Sequence, residues 1–422
     1  MAVEIWRDVE DRRRPCDDPG RRAADRQIYG CDLSPAFGSA AGIVAILFGV
    51  LAVAGCAFSL FAIVATRSYR RRVGAVCDTY PSVSILKPLY GLEPNLFDNL
   101  AGFCRQDYPA EVEIIFGVRD GSDPAAAIAR QVIAAFPQVA TRLVIDPRQY
   151  GQNGKISNLM NMQPSVTHEV VILADSDMVV DPTYLRDVVD ALSGPDVGLV
   201  TCLYRGLSVP GFWSRLSARG IDDHFLPNVI VGLTLGLAKP CFGSTIALRA
   251  DTLLRIGGFA TFKDVLADDN AMGQAVRGLG LRVAVPARPV LGHVCGSTTF
   301  AALFRQDLRW SRTIKSVDPA GFAGSIVTNP LPLAIIVIAI GGFDIVSGAL
   351  LMATLACRLA LQVEIHQLTG VKVRSLWLGP LRDLVSFAVF IASFWPGSLD
   401  WRGHKFAVQS DGTMASTDST GS

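Results

Sequence analysis

Two carboxylates two residues apart, Asp175-Ser176-Asp177, leave the apolar run Val170–Ala174. In that position both can face a hard divalent cation. Magnesium or manganese is usually held by one or two carboxylates together with the phosphate oxygens of a ligand. The pair equally suits an ordinary loop in which either aspartate caps the helix beginning near Pro182. Asp120 alters that balance, because it ends another apolar run and neighbouring strand ends can bring it close to the pair. A second acidic pair, Asp268-Asp269, heads the amphipathic stretch 270–279. It suits a helix N-terminus, where the macrodipole favours negative charge, and a carboxylate at a cleft edge is also the usual general base for a hydroxyl nucleophile. Gln306-Asp307-Leu308-Arg309-Trp310 lies in a helical stretch, 300–315, that runs into an apolar block. A basic and an aromatic residue there suit interfacial anchoring. His224 and His293 are isolated and read as structural, as a third metal ligand or as an acceptor contact. Gly243-Ser244-Thr245, before Ile246-Ala247-Leu248, borders a binding site or enters a strand.

These side chains need a scaffold, and the pattern between residues 80 and 315 supplies one. Short β-branched runs at 83–86, 113–118, 142–145, 170–174 and 197–204 read as strands. Amphipathic stretches at 95–105, 124–136, 155–161 and 182–192 read as helices between them. Such alternation predicts a mostly parallel sheet covered on both faces, with ligands at the carboxyl ends of its strands. Lys87, Asp120 and the Asp175/Asp177 pair follow strands in just that way.

Hydrophobicity outside this region points to a bilayer. No charge occurs from Leu33 to Thr66, and residues 39–66 form a span longer than the roughly 20 residues a bilayer needs. A polar tail over 1–38 precedes it, which disfavours a cleavable signal peptide. Arg67, Arg70, Arg71 and Arg72 follow it and favour a cytoplasmic C-terminal side, although the tail itself carries seven arginines among eight acids. Residues 319–399 form a second membrane region: two spans in a hairpin turning at Asp344, then a short re-entrant or interfacial segment. The stretch 400–422 reads as a largely disordered tail.

The remaining composition excludes more than it identifies. Half of the 422 residues are hydrophobic and only 18% are charged, with a mean hydropathy of +0.35, so this is not a disordered chain. Thirty-nine Lys and Arg against 38 Asp and Glu leave no field for gathering nucleic acid. Nine scattered cysteines without a Cys-x-x-Cys pair support neither a disulfide framework nor a zinc knuckle.

In order, Asp120, Asp175-x-Asp177, Asp269 and Gln306-x-x-Arg309-Trp310 resemble the D, D, D, (Q/R)xxRW signature of processive and lipid-directed glycosyltransferases of the GT-A fold. The segments Val83–Gly91, Val118–Ala125 and Lys155–Leu159 are similar to the ceramide glucosyltransferase family. The ending, Pro380–Ala388 and Trp401–Gly403, resembles the bacterial branch encoded with hopanoid biosynthesis. The likeness covers about residues 40–408.

It implies an α/β, Rossmann-like catalytic domain over 80–315, facing the cytoplasm from a multi-pass inner membrane protein. It also implies an inverting transfer from a UDP-sugar to a lipid hydroxyl, in the hopanoid branch N-acetylglucosamine to bacteriohopanetetrol. Ceramide glucosylation from UDP-glucose is the alternative acceptor chemistry, and a processive polysaccharide synthase or an inactive scaffold are the others. The family tends to carry Asp-Ser-Gly where this chain has Asp175-Ser176-Asp177; the second carboxylate strengthens a metal role and weakens the expectation of ceramide.

In the implied assignment, Asp175 and Asp177 hold a magnesium or manganese ion. Asp120 contacts the nucleoside, and Lys87, Glu93, Lys155, Asp175 and Gln306 belong to the nucleotide-sugar site. Asp269 is the base, Asp268 being its rival. Arg309 meets the diphosphate and Trp310 lines the acceptor site. No feature of the chain identifies a protein partner.

Overall fold

The computed structural model describes residues 40–370 and 376–395, together with three backbone strands beyond them. The N-terminal tail expected over 1–38 lies outside the described residues. The chain enters as one long helix, α1 (Ala40–Arg70), and then folds an α/β domain. That domain runs β1 (Val83–Pro88), α2 (Leu96–Cys104), β2 (Val112–Val118), α3 (Pro124–Ala135), β3 (Ala140–Ile145), α4 (Gly154–Met162), β4 (Val170–Leu173), β5 (Met178–Val179) and α5 (Tyr184–Leu192). It continues through β6 (Val197–Val200), β7 (Tyr204–Ser208), α6 (Phe212–Gly220), a π-helical turn at Ile221–Phe225 and α7 (Leu226–Thr234). It ends with β8 (Ile246–Arg249), α8 (Ala250–Arg255), α9 (Asp268–Gly278), β9 (Arg282–Ala284) and β10 (Leu291–Cys295).

The strands order as β3-β2-β1-β4-β8-β6-β9. Pairings β1 to β2, β1 to β4, β2 to β3 and β6 to β9 are parallel, whereas β8 runs antiparallel to both neighbours. This is the mostly parallel, helix-covered sheet that the strand and helix alternation predicts. Successive side chains of a strand face opposite sides. Ile85, Ile114 and Ile172 accordingly join one apolar core, and Leu86, Ile115 and Leu173 the other. Local chemistry starts the helices: Asp123 accepts the Ala125 N–H ahead of Pro124, and Asn153 accepts the Ile156 N–H at the head of α4.

One expected strand does not survive. The run 197–204 divides at Thr201, leaving β6 in the large sheet and starting β7 in a second sheet, ordered β5-β10-β7. The apolar content of the run cannot signal the switch, because both halves are buried. The small sheet matters for chemistry: β5 follows directly on Asp177, and its Met178 pairs with His293 of β10.

After β10 comes α10 (Phe300–Val317), which carries the Gln306–Trp310 segment. Then α11 (Pro319–Gly324) with its short continuation to Thr328 meets α12 (Pro330–Gly341) at a bend of 69°. The residue before a proline is biased away from helical backbone, so Asn329-Pro330 breaks the expected continuous span. Asp344 caps α13 (Ile345–Thr369) through a reciprocal pair of bonds with Ser347, as a turn residue does. α14 (Gly379–Ala392) follows. By length and apolarity α1 and α13 can cross a membrane, and the bent pair makes a third candidate. α12 and α13 pack against α1. Where a tail was expected, β11 (Leu399–Trp401), β12 (His404–Val408) and β13 (Met414–Ser416) form an antiparallel sheet.

Candidate active site

The acidic residues of the sequence converge where the β4 end meets the loop before β8. The backbone N–H of Asp175 donates to the Gly243 carbonyl at 3.2 Å. Asp175 Oδ1 pairs with Lys155 Nζ at 2.6 Å, and the same ammonium lies 3.7 Å from Asp268 Oδ2. Burial works against a charge on Lys155, but Asp175 and Asp268 outweigh it and raise its pKa. A side chain at 243 has no room: a Cβ there would fall 2.5 Å from Asp175 Oδ2 and 3.0 Å from Lys155 Nζ. Glycine lets the loop approach the carboxylates without displacing the Asp175 and Lys155 pair.

The rival acids separate by surroundings. Asp268 is buried, accepts a bond from Asn153 Nδ2 at 3.2 Å and serves Lys155. Asp269 is less enclosed; its Oδ1 accepts the Asn270 N–H at 2.7 Å and its Oδ2 the Gly243 N–H at 3.1 Å. Burial, and then the neighbouring Asp268 charge, push the Asp269 carboxyl up to about 6. A carboxylate tuned towards neutrality suits a proton acceptor.

Lys87 is not at the cleft surface. It is fully buried within β1, donates to the Asp175 carbonyl at 2.5 Å and sits 3.8 Å from the centre of the Phe103 ring. Burial pulls its pKa down to about 7 against the pull of Asp175, Asp177 and Glu93. The expected nucleotide contact is thus, in this structure, a support beneath Asp175. Glu93 is half-buried in the loop after β1. Asp120 is exposed at the β2 end, where the Ser122 N–H donates to its Oδ1 at 2.8 Å and lowers its pKa.

Asp177 lies on the aromatic side. Its Oδ2 is 3.5 Å from His293 Nδ1, while its buried Oδ1 has no hydrogen-bond partner. His293 packs against Tyr204 and edge-on against Trp310, with centroids 5.6 and 5.7 Å apart. Tyr204 stacks on Phe225 at 4.5 Å and meets Phe242 at 5.9 Å. Sequence reading missed Tyr204, Phe225 and Phe242, which lie in three separate segments whose only shared signal is aromaticity. Gln306 accepts from Ser297 Oγ at 3.4 Å on the same helix as Trp310. Arg309 is half-buried one residue before it.

His224 belongs elsewhere: its Nε2 lies 2.9 Å from Asp383 Oδ1, and burial lowers its pKa to about 4. Among the described residues, no group of three or more His, Cys, Asp or Glu side chains gathers as a metal cage. Asp175 and Asp177 still fit a cation whose remaining ligands come from a diphosphate, since Asp177 Oδ1 is a buried oxygen lacking a donor.

Comparison with known proteins shows the family. The model of the family described as glycosyl transferase family 21 matches residues 47–414. Ceramide glucosyltransferase 1 of Caenorhabditis elegans is 24% identical over 388 residues, covering 87% of this chain and 82% of that protein. A ceramide glucosyltransferase of Gibberella zeae is 30% identical over 168 residues, 36% of this chain and 32% of its own. Among solved structures, a mannosyltransferase from Pyrobaculum calidifontis in complex with GDP-Man and Mn2+ is 20% identical and covers 83% of this chain and 99% of its own, at a TM-score of 0.48.

Proposed function

The chain belongs to glycosyl transferase family 21, and we propose that it moves glucose from UDP-glucose to the primary hydroxyl of a ceramide-type lipid at the cytoplasmic face of a membrane, with inversion. It is a membrane-associated glycosyltransferase. The finer reading is supported by the relatives' names: the ceramide glucosyltransferase of Caenorhabditis elegans aligns over 87% of this chain and that of Gibberella zeae over 36%. The hopanoid polyol and N-acetylglucosamine expected from the C-terminal resemblance find no support among them. A processive synthase fares worse still, with at most three candidate spans among the described residues to build a channel.

The observation that carries the mechanism is Asp269, held at a pKa of about 6 beside the Asp175 and Lys155 pair. Its carboxylate takes the proton of the acceptor hydroxyl as that oxygen attacks the anomeric carbon and the bond to the nucleoside diphosphate breaks. Asp268 and Asn153 hold the head of α9, fixing the base. Lys155 fixes the rotamer of Asp175, and Lys87 fixes the strand-end backbone. Arg309 pairs with the departing diphosphate as a charge-assisted fork, and Trp310 with Tyr204 and His293 walls the acceptor side. Asp120 contacts the nucleoside. Asp175 and Asp177 would hold a magnesium or manganese ion, which would supply positive charge against the negative charge developing on the diphosphate.

Membranes containing the protein, given labelled UDP-glucose or UDP-N-acetylglucosamine with ceramide or bacteriohopanetetrol, test this directly. Label in glucosylceramide is the expected result. Label in the hopanoid or in polymer, with none in ceramide, refutes the acceptor assignment.

A further inference from the structure

Helices from the membrane region interlock with the domain through buried charge. Arg219, at the end of α6, pairs with Asp223 of the π-helical turn at 2.7 Å and reaches His366 Nε2 of α13 at 2.7 Å. Arg358 of α13 forks onto Asp383 of α14 at 2.8 and 2.6 Å, and His224 meets the same carboxylate. One residue earlier, Arg382 turns towards α10 and pairs with Asp307 at 2.6 Å. Asp307 is 7% exposed and Arg382 5%. Arg382 passes against Gly220, where any Cβ would collide with its guanidinium, and it also donates to the Leu216 carbonyl at 3.5 Å.

Asp307 stands between Gln306 and Arg309 on one helix. About 3.6 residues complete a turn, so fixing Asp307 fixes the rotation of its neighbours about the axis. An apolar contact could hold α10 against α14 equally well but would tolerate sliding, whereas a buried ion pair is satisfied at one register. On the reading proposed above, α10 presents Arg309 and Trp310 to donor and acceptor. The geometry points to Arg382 as a positioning residue for the transfer: its ion pair with Asp307 sets the rotation and height of α10 against the sheet. It does so from a helix that Asp383 pins to Arg358 and His224. The membrane region thereby orients the catalytic helix as well as anchoring the domain.

The test uses the full-length protein in nanodiscs, labelled with 5-fluorotryptophan, with the Trp310 resonance assigned from a Trp310→Phe sample. Arg382→Gln should move that resonance and lower kcat by roughly 10²-fold, the scale of a small misplacement of reacting groups, while affinity for UDP-glucose holds. Arg382→Lys should recover part of both, as should the exchange of Arg382→Asp with Asp307→Arg. Should Arg382→Gln fail to fold, Gly220→Ala displaces the guanidinium without removing its charge and is read in the same way. A Trp310 resonance unmoved in a folded variant overturns the proposal, as does a kcat loss that Lys does not relieve any better than Gln. If the parent protein glycosylates no lipid, the functional reading fails, and the resonance still decides whether Arg382 positions the helix.

Discussion

The strand-end site and the interlock both bury charge, but they balance it differently. In the interlock, Arg219 faces Asp223, Arg358 faces Asp383 and Arg382 faces Asp307, each within 2.7 Å. At the strand ends, Asp175, Asp268 and Asp269 gather around Lys155, with Asp177 beside His293 and Lys87 directed to a backbone carbonyl. Acids outnumber bases there, and burial, with the neighbouring Asp268 charge second, raises the Asp269 pKa. Uncompensated buried charge is costly, so a surplus of one sign persists where a guest of the opposite sign or a titrating proton relieves it. Matched charge needs no guest and serves register.

The sharpest way to break that contrast is to remove the surplus. Asp269→Asn should lower kcat by roughly 10²–10⁴-fold, the range of a lost general base, with UDP-glucose affinity near that of the parent. Asp268→Asn should be milder, since Asp268 serves Lys155 and Asn153; steady-state kinetics on both variants decide, and the reverse order would make Asp268 the base. In the interlock, Arg358→Met or Asp383→Leu alone should cost about 3–5 kcal/mol by leaving a bare buried charge, while the double variant should melt near the parent. Denaturation in detergent measures all three, and a double variant as damaged as either single one would mean the pair is more than scaffolding.

A subtler outcome concerns pH. An acid whose folded pKa exceeds its unfolded value binds its proton more tightly when folded, so stability is lost as pH rises from the usual carboxylate range through about 6. Asp269→Asn should therefore melt higher than the parent at about pH 7.5, with the gap closing towards about pH 4. The parent's kcat/KM should rise with pH through about 6 as the base ionises, and that limb should vanish in the variant. The smallest effect is expected outside both regions. Arg186 pairs with Asp107 at 3.0 Å on the surface, and Arg186→Ala should stay within about 1 kcal/mol of the parent.

Much of this was legible in the chain. Uninterrupted apolar runs forced buried parallel strands, and the 31-residue helix α1 follows from an apolar stretch too long for a globular core. Asp175 and Asp177 were readable because they interrupt such a run. Asp344 was readable as a turn because it stands between two apolar blocks. These are local facts, decided by side-chain periodicity and by the cost of burying charge.

Other features depend on partners distant in sequence. The break at Thr201 arises because β6 finds β8 and β9 while β7 finds β10. The choice between Asp268 and Asp269 turns on Lys155 and Gly243, more than a hundred residues upstream in one case and 26 in the other. Lys87 reads as a strand-end cation, yet only Phe103 and the Asp175 carbonyl disclose that it faces inward. Arg382 and Asp383 look like a charged flank of a short apolar segment, and the interlock with Asp307 and Arg358 becomes visible only when three helices are brought together. Sequence by itself determined which residues must be buried and which types could do the chemistry. The tertiary structure decided how each charge is matched, because electrostatic energy depends on separation in space, and chain distance does not set that separation.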